Sequence, residues 1–362
     1  MGFVMRWPER ALIDLFGIAH PIVQAPMAGA STPALAAAVS NAGALGGFGG
    51  TECSADELRE VIRAIRRLTD KPFVVNLYLD RTEPYVAHPV REAALRRALA
   101  PAHLELNAGL VPEPVDVFGR FDGQLAVVIE ERVPVLSTHF GAPAPSALSA
   151  LKANGSRVIA TANNVAEARE LETAGVDAVI AQGSEAGGHR GGSFASSEPI
   201  GSFALVPQIV DAVDVPVIAA GGVMDGRGVA AALMLGASGV QMGTAFVACA
   251  EAAVNTAYVR RLLAAAAQDS VLTDALSGRP ARVLRNSLVD LLNRNAALRL
   301  AFPEQLSMTR KLRDVAAATG NAEFMSLFAG QGVPLARTAS AAELIASLVS
   351  EAGRLLAACT TS

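Results

Sequence analysis

Residues 216–246 read PVIAAGGVMDGRGVAAALMLGASGVQMGTAF. A short apolar run, 216–222, ends in two glycines. An Ala-rich helical pattern follows, and a second apolar run, 239–244, ends in Gly243 and Thr244. Apolar character that is continuous rather than alternating marks strands buried on both faces, hence a parallel sheet whose strands are joined through helices. The apolar region 228–254 is long enough to span a bilayer, but Gly236, Gly239, Gln241 and Gly243 divide it into helix, turn and strand. It reads as buried wall rather than a transmembrane helix.

The same unit recurs outward from this stretch. Apolar runs ending in small or polar residues occur at 21–27, 44–50, 72–79, 133–141, 157–162 and 178–183. Helical patterns lie between them, at 54–69 with a Ser54–Glu57 capping-box pattern and at 164–175 with a stop at Gly175. Eight such strands with intervening helices predict an α/β fold, a (β/α)8 TIM barrel. Two stretches break the alternation. Residues 83–123 carry five prolines, and 251–334 form a long, mostly helical tract after the eighth strand. The expected division is a barrel from 10–82, 124–250 and 335–360, with a mostly helical substrate lobe from 83–123 and 251–334 over its mouth.

The 362 residues, 51% hydrophobic and 18% charged, allow a large core, and a net charge of −4 without a basic run argues against nucleic acid as partner. Cys53, Cys249 and Cys359 are scattered with no CxxC or Cys/His pairing, so no metal site and a reducing, cytoplasmic setting are expected. The N-terminus lacks a signal-peptide pattern, and Arg6 disfavours myristoylation of the Met-Gly start. No membrane association is expected, and a homodimer stays open.

In such a barrel the chemistry lies at the C-terminal strand ends. Those ends carry Pro26, Met27 and Ala28, then Asn76, His139, Thr161, Gln182, Gly221 and Gly222, and Gln241 to Thr244. Glycine, amide and hydroxyl groups dominate, with no carboxylate pair, which suits a polar, planar ligand bound mostly by backbone. The Gly-rich ends after the seventh and eighth strands are the usual place for a phosphate. After the sixth strand comes QGSEAGGHRGG (182–192), with five glycines around His189. Histidine titrates near neutral pH, and this loop cannot hide it, so His189 reads as functional. His139 reads equally as structural or pocket-lining. Glu185 reads as a partner of local backbone amides, Arg190 as solvated, and Asp225 and Arg227 as a turn and helix start.

Taken together, PIVQAPMAG (21–29) with Thr32, STHFGAP (137–143), TANNVAEA (161–168), AVIAQGSEAGGHRGG (178–192), the opening stretch, SGRPAR (277–282) and AGQG (329–332) resemble the nitronate monooxygenase family, formerly 2-nitropropane dioxygenase. The resemblance implies an FMN-dependent barrel that oxidises alkyl nitronates, such as propionate 3-nitronate, with O2 to a carbonyl compound and nitrite. It implies that Asn76, Gln182, Gly187, Gly188, Gly221, Gly222, Gln241, Met242, Gly243 and Thr244 bind FMN, the last four and the Gly221–Gly222 turn holding its phosphate. The backbone of Pro26, Met27 and Ala28 would face the isoalloxazine. His189 would be the catalytic residue, as base or as partner of the nitro oxygens, and His139 would line the same pocket. The family pattern places tyrosines and a lysine in the lobe. Here 295–315 has no tyrosine and only Lys311, so a more apolar substrate pocket is expected. The rival readings are an FMN- and NAD(P)H-dependent enoyl-ACP or quinone reductase, where isoleucine is expected in place of Arg190, and a flavin-binding protein without catalysis.

Overall fold

The computed structural model describes residues 7–79, 85–115, 120–193 and 198–360. The Met-Gly start, the barrel end 80–82 and the lobe residues 83–84 and 116–119 lie outside the described residues.

Eleven strands are described: β1 (Ile22–Gln24), β2 (Gly46–Gly49), β3 (Phe73–Tyr78), β4 (Val135–His139), β5 (Arg157–Ala162), β6 (Ala178–Gln182), β7 (Gly188–His189), β8 (Val217–Ala220), β9 (Gly239–Met242), β10 (Ser270–Thr273) and β11 (Ala281–Leu284). Eight of them form a parallel sheet in the order β1-β9-β8-β6-β5-β4-β3-β2. It closes where Gln24 N donates to Leu45 O and Leu45 N to Ile22 O, each at 2.9 Å. The eight apolar runs are therefore the eight strands of a (β/α)8 barrel.

Their continuous apolar character follows from burial on both faces. Neighbouring residues on one strand serve different cores. Val74, Ile159, Ile180 and Ile218 fill the barrel interior with Leu12 and Phe16 of the helix Ala11–Phe16. Their neighbours Val75, Val158, Val179 and Val217 face the surrounding helices. The capping box on helix Ala55–Leu68 forms as expected, with Glu57 N donating to Ser54 Oγ and Ser54 N to Glu57 Oε2. Gly175 ends helix Val165–Ala174 at φ +95. Asp225 caps helix Gly226–Met234 and pairs with Arg227, so both belong to a helix start. Region 228–254 divides into that helix, β9 and the short helix Thr244–Val247. Among the described residues, no helix is long and apolar enough to cross a membrane.

A separate apolar cluster joins Leu95 and Leu99 of helix Pro89–Glu105 to Leu262, Leu288, Met308 and Leu312, on helices 256–263, 287–294 and 304–319. This part is not purely helical. β10 and β11 pair antiparallel within it, and β7 from the glycine-rich loop adds as a third strand, with His189 opposite Ala281. The loop after the sixth barrel strand is thus hydrogen-bonded into the tract that follows the barrel.

Candidate active site

At the C-terminal ends of the barrel strands lies a cavity of about 480 Å³. Pro26, Met27 and Ala28, Gln182, Gly187 to His189, Gly221 and Gly222, Gln241 to Thr244, and His139 all line it. Asn76 does not. It lies buried behind the wall, where its Nδ2 donates to Ser137 O and Oγ at 3.2 Å and to His139 Nδ1 at 3.3 Å. A small amide at a strand end has two sides to offer, and here the adjacent β4 takes up the hydrogen bonds of Nδ2.

Gln182 and Gln241 differ in the same respect. The Gln182 amide staples the loop: Nε2 donates to His189 O at 3.0 Å, and Oε1 accepts from Asn163 Nδ2 at 2.8 Å and Gly191 N at 2.9 Å. Gln241 Oε1 is buried at the cavity wall with no hydrogen-bond partner among the described residues. A buried acceptor left unpaired is costly, so it calls for a ligand donor. Beside it, Gly221 and Gly222 hold φ of +110 and +75 and present bare backbone to the cavity. An orphaned acceptor next to a side-chain-free rim fits a flat ligand with a hydrogen-bonding edge.

The loop 183–192 has little regular structure, so its carbonyls need donors from elsewhere. Arginines supply them. Arg190 Nη1 donates to Gly183 O at 2.7 Å, and Arg282 Nε to Ser184 O at 2.7 Å. Arg279 donates to Arg190 O and Gly192 O and stacks over the Phe140 ring at 3.8 Å. Arg190 is thus not solvated: it is 8% exposed, and burial lowers its pKa to about 10. Arginine suits this work because its planar guanidinium donates in several directions while staying charged. Glu185 accepts from Ser202 N and Oγ at 2.9 Å, capping the helix Ser202–Val210, in keeping with its expected backbone role. AGQG closes over the loop: a methyl on Gly187 would sit 2.7 Å from Gly330 N.

His189 and His139 flank Tyr78. Tyr78 stacks on His139 with centroids 5.2 Å apart and meets His189 edge-on at 6.0 Å. Phe302 and Phe328 pack the His189 ring at 5.4 and 5.6 Å. Burial, with the nearby His139, Arg279 and Arg313, pushes the His189 pKa down to about 3. Burial pushes His139 down to about 4. Both imidazoles are neutral near pH 7. Burial raises the Tyr78 pKa well above its ordinary value, keeping a protonated hydroxyl on the cavity wall.

The lobe wall corrects one expectation. Phe302 and Leu306 are apolar, but Arg310, Arg313 and Asp314 line the same cavity, and Arg310 pairs with Asp314 at 3.7 Å, so the wall is charged as well as apolar. Arg313 donates to Thr309 Oγ1, Ser326 Oγ and Leu306 O. No carboxylate lies within ion-pair distance of it among the described residues. Tyr78, Phe302, Phe328 and Arg313 were not singled out as site residues from sequence. Their only signal was proximity in the chain to noted features, β3 for Tyr78 and AGQG for Phe328.

Comparison with known proteins agrees with this geometry. The nitronate monooxygenase family model matches residues 9–351. A nitronate monooxygenase of Paraburkholderia phytofirmans is 45% identical over 350 residues, covering 95% of this chain and 95% of its own. The crystal structure of a nitroalkane oxidase from Streptomyces ansochromogenes superposes with a TM-score of 0.89 at 39% identity, over 96% of this chain and 99% of that one. A FabK structure from Thermotoga maritima has a TM-score of 0.76 at 34% identity, over 98% of this chain and 99% of its own. A barrel with a histidine-bearing loop pinned by a following lobe, matched along nearly its whole length, places the chain in the nitronate monooxygenase family.

Proposed function

We propose that the protein is an FMN-dependent oxidoreductase that converts alkyl nitronates, with O2, to a carbonyl compound and nitrite. The observation that carries this reading beyond family membership is His189, a buried neutral imidazole on the wall that joins the glycine-lined barrel mouth to the lobe that carries Arg313. When bound, FMN supplies the two-electron redox chemistry. The orphaned Gln241, the Gly187–Gly188 backbone and the Pro26–Ala28 turn would hold its ring system. Gly221 and Gly222, with Gly243 and Thr244, would hold its phosphate.

The side chains opposite would receive the substrate. A nitronate is an anion, and Arg313 offers it a positive charge not neutralised by an ion pair among the described residues. The Tyr78 hydroxyl donates to a nitro oxygen. Phe302 and Phe328 exclude water, which strengthens both interactions. The same reading assigns 10–82, 124–250 and 335–360 to the cofactor barrel and 83–123 with 251–334 to the substrate lobe, in a cytoplasmic protein.

A FabK-like NAD(P)H reductase is the second reading, favoured by the Thermotoga maritima structure. The lower identity and TM-score of that match rank it behind. An anaerobic titration separates the two. The yellow protein bleaches with propionate 3-nitronate and not with NADH if the proposal holds. Rapid bleaching by NADH alone overturns it.

A further inference from the structure

We propose that Ser277 is a positioning residue that fixes His189 as its Nε2–H tautomer, so that the bare Nδ1 lone pair faces the cavity. This rests on the reading of His189 as the catalytic histidine.

His189 Nε2 and Ser277 Oγ lie 2.9 Å apart, although the residues are 88 positions apart in the chain. Ser277 is fully buried. A serine hydroxyl has one proton and two lone pairs. Arg279 O lies 3.0 Å from Ser277 Oγ and, as a carbonyl, can only accept. Both contacts are hydrogen bonds at once only when the serine proton goes to Arg279 O and Nε2 carries the hydrogen toward Oγ. A neutral imidazole has a single N–H, which leaves Nδ1 unprotonated. Nδ1 has no partner among the described residues and is not one of the sealed, unpaired atoms. Phe302 and Phe328 pack the ring and offer it no competing donor or acceptor, and Tyr78 meets it ring edge to ring face with no hydrogen bond between the two side chains among the described residues.

The backbone explains why serine can stand there. Gly278 turns the chain at φ +82, where an added Cβ would meet Leu300 O at 2.6 Å. Just beyond this turn, Arg190 N donates to Pro280 O at 2.9 Å and β11 pairs with β7. The hairpin that carries Ser277 is thus tied to the strand that carries His189.

The consequence is chemical. A lone pair facing the cavity accepts a proton and repels an anionic oxygen. It suits a neutral nitroalkane: the C–H bond beside the nitro group breaks, its electron pair moves into the C=N bond, the N=O π pair moves onto oxygen, and the proton forms the Nδ1–H bond. The products of that step are the nitronate and an imidazolium. A substrate that arrives as a nitronate does not need it.

The test uses holoprotein with 15N-labelled histidine. The expected spectrum shows His189, assigned by its loss in His189→Gln, protonated at Nε2 and not at Nδ1. Ser277→Ala should mix the tautomers, and Ser277→Thr should restore the single one. In kinetics, Ser277→Ala should lose about tenfold more kcat/KM on nitroethane than on ethyl nitronate. A wild-type protein carrying its proton on Nδ1, or an unchanged tautomer in Ser277→Ala, overturns the proposal. Full turnover of both substrates by His189→Gln would instead overturn the catalytic reading of His189, whatever its tautomer.

Discussion

The two walls of the cavity are built on different principles. The barrel wall is mostly backbone, at Pro26 to Ala28, Gly187, Gly188, Gly221, Gly222 and Gly243. The lobe wall is mostly side chains, at Tyr258, Phe302, Leu306, Arg310, Arg313 and Phe328. Backbone amides on a closed barrel hold a fixed geometry and recognise what many reactions share. Side chains on helices can be exchanged one at a time, so on the proposed reading the lobe wall is where substrate preference is set. His189 belongs to both, because its strand pairs with the lobe while its loop leaves the barrel.

The largest test of this division is at that junction. His189→Gln should retain bound flavin and lower kcat/KM by about 10²- to 10⁴-fold, measured by oxygen consumption with a neutral nitroalkane, with a smaller loss on the corresponding nitronate. A variant that loses its colour would show that His189 supports the barrel wall instead. On the barrel side, Gly187→Ala forces a methyl against Gly330 N at 2.7 Å. It should cost about 1–3 kcal/mol of stability and weaken flavin retention, seen in urea titration and in the absorbance of purified protein. On the lobe side, Arg313→Met should raise KM for nitronates about tenfold with a smaller change in kcat and no loss of colour. Equal loss of flavin in both variants would erase the distinction between the walls.

The remaining effect is on pH. The folded-state pKa values of His139 and His189, about 4 and about 3, lie below the ordinary 6.5. The unfolded chain therefore takes up protons first as pH falls. Stability is fully present above pH 6.5 and is lost progressively toward pH 4 and below, by at most about 1.4 kcal/mol per pH unit per histidine. Thermal unfolding at pH 7, 6 and 5 should show this slope, and His139→Gln should make it shallower.

The barrel was legible because its signal is local. Each strand such as Ile22–Gln24 or Val217–Ala220 carries its own apolar run. The glycine-rich strand ends that meet at the cavity were legible for the same reason. β7 was not, since Gly188–His189 is too short to show a period and its partner β11 lies far along the chain. Arg190 looked solvated because a charged residue beside glycines has no visible partner in sequence. The Gly183 carbonyl that buries it becomes available only when the loop folds back. Asn76 and Gln182 show the same limit. An amide at a strand end can serve a ligand or a neighbouring backbone, and only the packed structure separates the two.

The three-stranded sheet of β10, β11 and β7 also sets an order of events. During synthesis the last barrel strand is complete at Met242, yet the strand that receives His189 begins only at Ala281, and the glycine segment packed on Gly187 follows at Gly330. Until those residues emerge from the ribosome, the barrel can be topologically complete while its histidine loop lacks a template. The candidate site is therefore shaped only after all eight barrel strands have been made, and a nascent chain stalled between these points would carry every barrel strand with an unfinished site.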